Sequence, residues 1–420
     1  NTMSQYLDRA FSPAKLGSLA LKNRVLKAAT YEGKSPNGIP GDNLKQFHKS
    51  IVAGGVAMTT IGYCTVEADG RINDQMMWLH EGVREPLSQM IAELKQLAPD
   101  VKVSGQMTHC GNFTKVRKLQ RLKRPLGASK AFNMLGAPSG VPFAGAMTLQ
   151  DIDYMVKLYA DAAIFMKDTG FDAAEIHFGH GYGLSQFISP KTNKRTDDYG
   201  GSLENRMRLP LRVLEAVKTA VGDDFPILGK MNMTDGVREG VHLPEAIEIA
   251  AMFDRGGIDA LICSGGTSSF NPMVYFRGDS LAKGMIEQQT NPLARLGLKV
   301  MGSRMFKDYP YYENYFLESA RQIRDRVNCQ MVYIGGCTEL ASLEEVMKEG
   351  FDFVQLGRPL IKDPNYVNNA MADSNYKNGC IHCNRCASLI EAPGGIYCPL
   401  NQEGEAAQAI KATGDPADHF

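Results

Sequence analysis

The chain has 420 residues and carries 46 Lys and Arg against 46 Asp and Glu, a formal charge of zero, which argues against a surface built for nucleic acid or anionic lipid. Hydrophobic residues at 44 % and charged residues at 22 % place it among globular chains, away from disordered, collagen-like or coiled-coil compositions. No run of about 18 uncharged apolar residues and no basic-then-apolar N-terminus is present, so a membrane span and a signal peptide are not expected and a cytoplasmic location is. Nine cysteines, an odd count in a long chain, fit reduced thiols better than a disulfide framework.

In chain order, Phe11–Leu16 and Leu19–Leu21 flank Gly17-Ser18 and predict a hairpin. Eight short β-branched or apolar runs follow: Arg24–Ala29, Val56–Tyr63, Lys102–Thr108, Ala173–His177, Pro226–Asn232, Ala260–Ser264, Met331–Ile334 and Phe353–Leu356. Helical periods separate them. Thr148 caps a helix whose apolar stripe is Ile152, Met155, Val156, Tyr159, Ala163 and Met166, and Gly170 stops it. Ser202 opens another through about Val221, and Leu243–Arg255, Glu313–Val327 and Glu339–Lys348 come after. Eight strands alternating with helices imply parallel strands and right-handed crossovers, which predicts a closed (β/α)₈ TIM barrel, with an open doubly wound sheet as the alternative. The hairpin would plug its bottom. Residues 1–365 form this barrel in the expected organisation, and 366–420 form a cysteine-bearing C-terminal extension packed on it.

Catalytic groups of such barrels sit at the C-terminal ends of the strands. There the fourth run ends in His177-Phe178-Gly179-His180-Gly181-Tyr182: two imidazoles that can each donate an N–H, and a phenol that keeps its proton at neutral pH. Gln106 stands near the end of the third run and can pair with an amide-like edge. Lys230 lies inside the apolar fifth run, where a buried cation needs an anionic partner. The last two runs end in Gly335-Gly336 and Gly357-Arg358, glycine N–H groups and a guanidinium suited to phosphate.

These residues resemble the Old Yellow Enzyme family of FMN-dependent oxidoreductases, in particular its bacterial-type ene reductases and the barrel domain of 2,4-dienoyl-CoA reductases. The resemblance runs from about Phe11 to Pro364. It is carried by Leu21-Lys22-Asn23-Arg24, by His177-x-x-His180-x-Tyr182, by Ser185 to Pro190, by the stretch from Asn193 through Arg195, Asp197, Tyr199, Gly200, Gly201 and Ser202 to Arg206, and by the two glycine sites. It implies FMN held by Ala28, Ala29 and Thr30 after the first strand, by Gln106 on the pyrimidine edge, by Lys230, and by Gly335, Gly336, Gly357 and Arg358 at the phosphate. It also implies NADH or NADPH as reductant and a small molecule with an activated alkene as substrate. His177 and His180 would bind the activating oxygen, and Tyr182 would deliver the proton. A 2,4-dienoyl-CoA reductase-like activity or an amine or demethylating flavin dehydrogenase is the alternative; a phosphate-binding lyase or isomerase explains the glycines but not the His-x-x-His-x-Tyr. A homo-oligomer is compatible with the pattern. The sequence departs from the family at Ala29, where Pro is usual, at Tyr31, where Thr or Cys tunes the flavin, and at Lys230, where Arg is usual.

Cys380, Cys383, Cys386 and Cys398-Pro399 form C-x₂-C-x₂-C-x₁₁-C-P, which resembles iron–sulfur ligation and also suits zinc. Dienoyl-CoA reductases hold a [4Fe–4S] cluster here with one more residue between the second and third cysteines. With 22 residues after Cys398 and no second flavin domain for a cluster to serve, thiols without metal are preferred. Residues 101–150 contain no Asp or Glu but carry Lys102, Lys115, Arg117, Lys118, Arg121, Lys123, Arg124 and Lys130. The expectation is that Arg121, Lys123 and Arg124 help seat an anionic partner such as the nicotinamide dinucleotide.

Overall fold

The computed structural model describes residues 4–401. Eight parallel strands close into a barrel: β1 Val25–Lys27, β2 Met58–Thr65, β3 Lys102–Thr108, β4 Ala173–His177, β5 Ile227–Asn232, β6 Ala260–Ser264, β7 Gln330–Tyr333 and β8 Phe353–Leu356. Each pairs with its sequence neighbour, and β8 pairs with β1. All eight runs seen in the sequence are these strands, with ends shifted by a few residues. The largest shift is at β2, which starts and ends two residues later than expected, while β1 stops at Lys27 and leaves Ala28 and Ala29 beyond its end. In β2 the register slips between Ile61 and Cys64, a bulge of the kind that re-aims a side chain beside a site.

The helix starts follow local chemistry. Thr148 and Asp151 form a reciprocal capping box for Leu149–Thr169, and Gly170 ends that helix in the left-handed conformation. Ser202 caps Leu203–Val221 by accepting from the Asn205 N–H. The helix expected over Glu313–Val327 is shorter, Leu317–Arg324. Its first residues are used elsewhere: the Glu313 carboxylate accepts from the N–H groups of Thr338 and Glu339 (3.0 and 3.1 Å), and Asn314 sits at φ 53°. The loop after β3 is not structureless. Leu126–Gly127, Ala131–Phe132 and Phe143–Ala146 make a small sheet above the barrel.

Strand alternation sorts the barrel interior into layers. At the bottom, the hairpin Ala14–Leu16 and Leu19–Leu21 sends Leu16 and Leu21 against Leu26, Leu228, Ile262, Val332 and Phe353. One step up, two residues further along β4, β5 and β8, the interior turns polar. The register sets Gln106 opposite Glu175, and Lys230 opposite His177.

Beyond β8, helix Tyr366–Ala372 packs Tyr366, Val367 and Ala370 into the outer core. The described residues after it, up to 401, cross the mouth. Asn384 donates to the carbonyls of Phe276 (2.7 Å) and Asp279 (2.8 Å), and the Ile396 N–H donates to the Glu32 carbonyl (2.9 Å). Among the described residues no helix is long and apolar enough to cross a membrane.

Candidate active site

The strand ends and the C-terminal extension enclose a cavity of about 260 Å³. Ala28, Ala29 and Thr30 line one wall, His180, Tyr182 and Lys230 another, and Gly335, Gly336, Gly357 and Arg358 the far end. His177 and Gln106 lie directly beneath this surface, each 1 % exposed, and do not line it. The residues singled out in the sequence therefore converge, in two tiers.

Glu175 is the centre of the lower tier. Its carboxylate accepts from Gln106 Nε2 and from Gln355 Nε2 (2.9 Å), and Lys230 Nζ stands 3.5 Å away. All four residues are nearly inaccessible, so the cation in an apolar strand has the anionic partner that burial demands. The pair leaves Gln106 Oε1 and Gln355 Oε1 buried without a partner.

The loop after β4 is pinned from β5. Asn232 Oδ1 accepts from the His180 N–H (2.9 Å), while Asn232 Nδ2 donates to Asp235 and to the Gly266 carbonyl. This holds His180 at φ 58°, with its ring stacked 4.2 Å from Tyr275 and its Nε2 2.7 Å from Ser264 Oγ. The Gly179 N–H donates to His177 Nδ1 (3.4 Å), which places the proton on Nε2; that atom has no partner. The two imidazole rings meet edge to face at 4.9 Å. Burial, reinforced for both by the nearby Lys230 and for His177 also by His180, holds their pKa values well below the usual 6.5. Both are neutral donors at neutral pH.

Tyr182 stands 4.6 Å from His177, ring to ring, and its hydroxyl accepts from the Tyr63 hydroxyl (3.0 Å). Its own proton is thereby left to give. Burial pushes its pKa up to about 12 against the opposing hydrogen bonds of Tyr63 and Ser268, so it remains an acid across the neutral range. Tyr31, at the position that departs from the family, stacks on Tyr63 at 5.2 Å and donates to Asn73 Oδ1 (2.5 Å). Lys27 braces the turn that follows β1: its ammonium donates to Thr30 Oγ1 (3.0 Å) and to the Ala28 carbonyl, with Glu32 4.0 Å away. Burial, partly offset by Glu32, brings its pKa down to about 8.

At the far end, Gly335 and Gly336 have φ of 124° and 79°, and a Cβ on either would strike the rings of Phe316 or Tyr315. Only glycine brings the backbone this close. Arg358 is aimed by the Arg277 carbonyl (2.6 Å) and Asn384 Oδ1 (2.7 Å). His382 of the extension lies flat on Tyr311 at 3.3 Å and meets Thr338 Oγ1 at 2.9 Å. A glycine cradle with an arginine at one end and unpartnered amide oxygens below the middle fit FMN: phosphate at the former, pyrimidine edge at the latter.

Sequence reasoning passed over several of these groups. Glu175 and Gln355 carried the same signal as Lys230, a polar side chain inside a buried strand. Tyr63, Ser264 and Tyr275 carried none, because only the closed barrel brings them to the imidazoles. Arg121 is placed differently from expectation. It is bidentate to Glu67 (3.0 Å to each oxygen), lies over Tyr154, and faces a separate cavity. Cys380, Cys383, Cys386 and Cys398 surround one small cavity beside Arg358. Among the described residues no three His, Cys, Asp or Glu side chains are spaced to hold a metal ion, and burial pushes the Cys386 thiol up to about 12.

The sequence matches the NADH:flavin oxidoreductase / NADH oxidase family over residues 9–269. It is 36 % identical to the 4,4'-dithiodibutanoate disulfide reductase of Rhodococcus erythropolis, over 90 % of this chain and 92 % of that protein. It is 27 % identical to an NADH oxidase of Thermoanaerobacter brockii, over 97 % of this chain but 60 % of that protein. Among solved structures, a complex of 2-naphthoyl-CoA reductase superposes with a TM-score of 0.78 at 21 % identity, covering 93 % of this chain and 56 % of that one, a likeness of fold. Closed barrel, converging strand ends and matched sequence lead to one assignment: the chain belongs to the NADH:flavin oxidoreductase / NADH oxidase family, the Old Yellow Enzyme family, and is an NAD(P)H:flavin oxidoreductase.

Proposed function

We propose that this enzyme reduces an activated C=C bond at the expense of NADH or NADPH. The observation that carries the reading is Tyr182, a buried acid whose hydroxyl accepts from Tyr63 and whose ring stands against the neutral imidazole of His177, itself edge to face with that of His180. FMN, when bound, supplies the hydride chemistry that links the nicotinamide to the acceptor. Ala28, Ala29, Thr30, Gln106, Lys230, Gly335, Gly336, Gly357 and Arg358 would hold it.

The protein's own work is electrostatic and protonic. As a hydride reaches the β-carbon of an enone, negative charge gathers on the carbonyl oxygen, and preorganised N–H donors stabilise it. His180 on the cavity wall and the unpartnered Nε2 of His177 are those donors. Tyr182 then gives its proton to the α-carbon and recovers it from solvent. Tyr63, which donates to Tyr182, steadies the tyrosinate left behind.

Similarity to a disulfide reductase favours a second reading in which the same pocket receives a disulfide. There the S–S bond takes two electrons and leaves as two thiolates, so no carbon is protonated and Tyr182 is dispensable. Anaerobic stopped-flow separates the two. In the first reading Tyr182→Phe leaves reduction by nicotinamide intact and slows re-oxidation by an enone about 10²–10⁴-fold. Full-rate re-oxidation of that variant by enones refutes the proton-donor role; fast re-oxidation by 4,4'-dithiodibutanoate, insensitive to the substitution, establishes the second.

A further inference from the structure

A groove of about 310 Å³ lies beside the pocket, across the loop that carries the reactive residues. Gly181 and Thr267 line the groove, while His180, Tyr182 and Ser268 line the pocket. Phe113 in the groove wall has its ring 5.1 Å from that of Tyr182. The two spaces are thus neighbours separated by one turn of backbone.

The groove is built for a different chemistry. Lys130, Lys191 and Lys194 line it, and no Asp or Glu does. Glu239, outside the lining, pairs with Lys191 at 2.6 Å. The Lys194 ammonium rests on the Pro190 carbonyl at 2.6 Å, a contact that leaves its charge in place, and Lys130 is exposed. Among these cations stand apolar side chains open to solvent: Phe132 is 62 % and Phe270 40 % exposed, and Lys191 lies 5.7 Å over the Phe270 ring. Three cations with one neighbouring acid favour a polyanion, and an exposed ring offers a stacking face to a planar base. An adenine nucleotide carries both features.

We propose that this groove docks the phosphorylated adenine-nucleotide arm of a ligand whose reactive end enters between His180 and Tyr182. The arm belongs to the pyridine dinucleotide or to a coenzyme A thioester, and the inference rests on the reading that one of these reaches the pocket. It moves the anion site from Arg121, which Glu67 neutralises, to Lys130, Lys191 and Lys194.

The test uses arms without reactive ends. The purified full chain, alongside its Lys130→Glu/Lys194→Glu double variant and Phe132→Ala, is titrated calorimetrically with ADP-ribose, 2′-phospho-ADP-ribose and coenzyme A. All three substituted side chains are exposed, and circular dichroism checks folding. The charge reversals are expected to weaken binding about tenfold, with a shallower salt dependence, and Phe132→Ala by less. A loss confined to the ADP-ribose compounds identifies the dinucleotide, and one confined to coenzyme A identifies the thioester. Equal affinity of wild type and variants for all three probes, or no binding of any, overturns the subsite. Absorbance of bound flavin is read on the same samples: a yellow protein that binds no probe refutes the groove alone, and a colourless one that binds them refutes the flavin reading alone.

Discussion

The bottom and the top of this barrel are made by the same strands, and on three of them two residues separate the layers. On β5 the inward side chains run Leu228, Lys230, Asn232; on β4, Ala173, Glu175, His177; on β8, Phe353, then Gln355. The lower member of each series packs into an apolar plug with Leu16 and Leu26. The upper members join a hydrogen-bonded polar tier. The bottom draws its stability from removing apolar surface from water, whereas the top holds charge in place by satisfying it. On β4, β5 and β8 the polar tier is reached by changing side chains at every second position near the strand ends, and the ladder pairing of these three strands stays continuous.

The comparison breaks first at Glu175. Glu175→Leu leaves Lys230 buried without its counter-charge and both glutamine amides without their acceptor, so it is expected to lower unfolding free energy by about 3–5 kcal/mol in a urea titration. Glu175→Gln, which keeps an acceptor, should lose less; equal losses would show that charge compensation is not what the tier provides. Next comes the plug. Leu228→Ala should cost about 2–5 kcal/mol with turnover of the folded enzyme unchanged, whereas a comparable loss of kcat would show that the layers are mechanically coupled.

The smallest effect expected is one of pH. His177 and His180 are neutral in the folded chain and become protonated in the unfolded chain below about pH 6.5. The unfolded state then binds more protons, so stability is flat above that value and declines as pH falls through it. Glu67 acts lower down. Burial pushes its pKa up, but His109 and Arg121 overrule that and hold it at about 2, so its contribution is present above about pH 4.5 and is lost below. Thermal melts from pH 8 to 5 should show the first decline, and His177→Ala/His180→Ala should flatten it.

Much of the barrel was legible because short β-branched or apolar runs, caps and stop glycines are local signals. The His-x-x-His-x-Tyr loop and the two glycine sites were legible for the same reason. The long stretch from Asn193 to Arg206 named the family without touching the chemistry. In the structure it is scaffolding: Asn193 donates to the carbonyls of Phe187 and Tyr199, Arg195 to those of Ala128 and Met147, and Arg206 pairs with Glu245. Tyr63, Tyr275, Tyr311 and Asn384 were not legible, since each earns its place through a partner far away in sequence. The basic loop misled for a related reason. Its charge was local, but the acid that neutralises Arg121, Glu67, comes from the loop just after β2.

The clamp of Asn384 and His382 on Arg358 and Tyr311 has a consequence for the order of assembly. A chain leaving the ribosome presents its residues from the N-terminus onward. The barrel has all its strands once Leu356 is out, but the wall over the phosphate end is complete only when Ile396 reaches Glu32. Between those two moments the far end of the cavity is open and Arg358 has the Arg277 carbonyl but not Asn384 to aim it. Closure of that end therefore follows closure of the sheet and waits on residues some forty positions further along the chain.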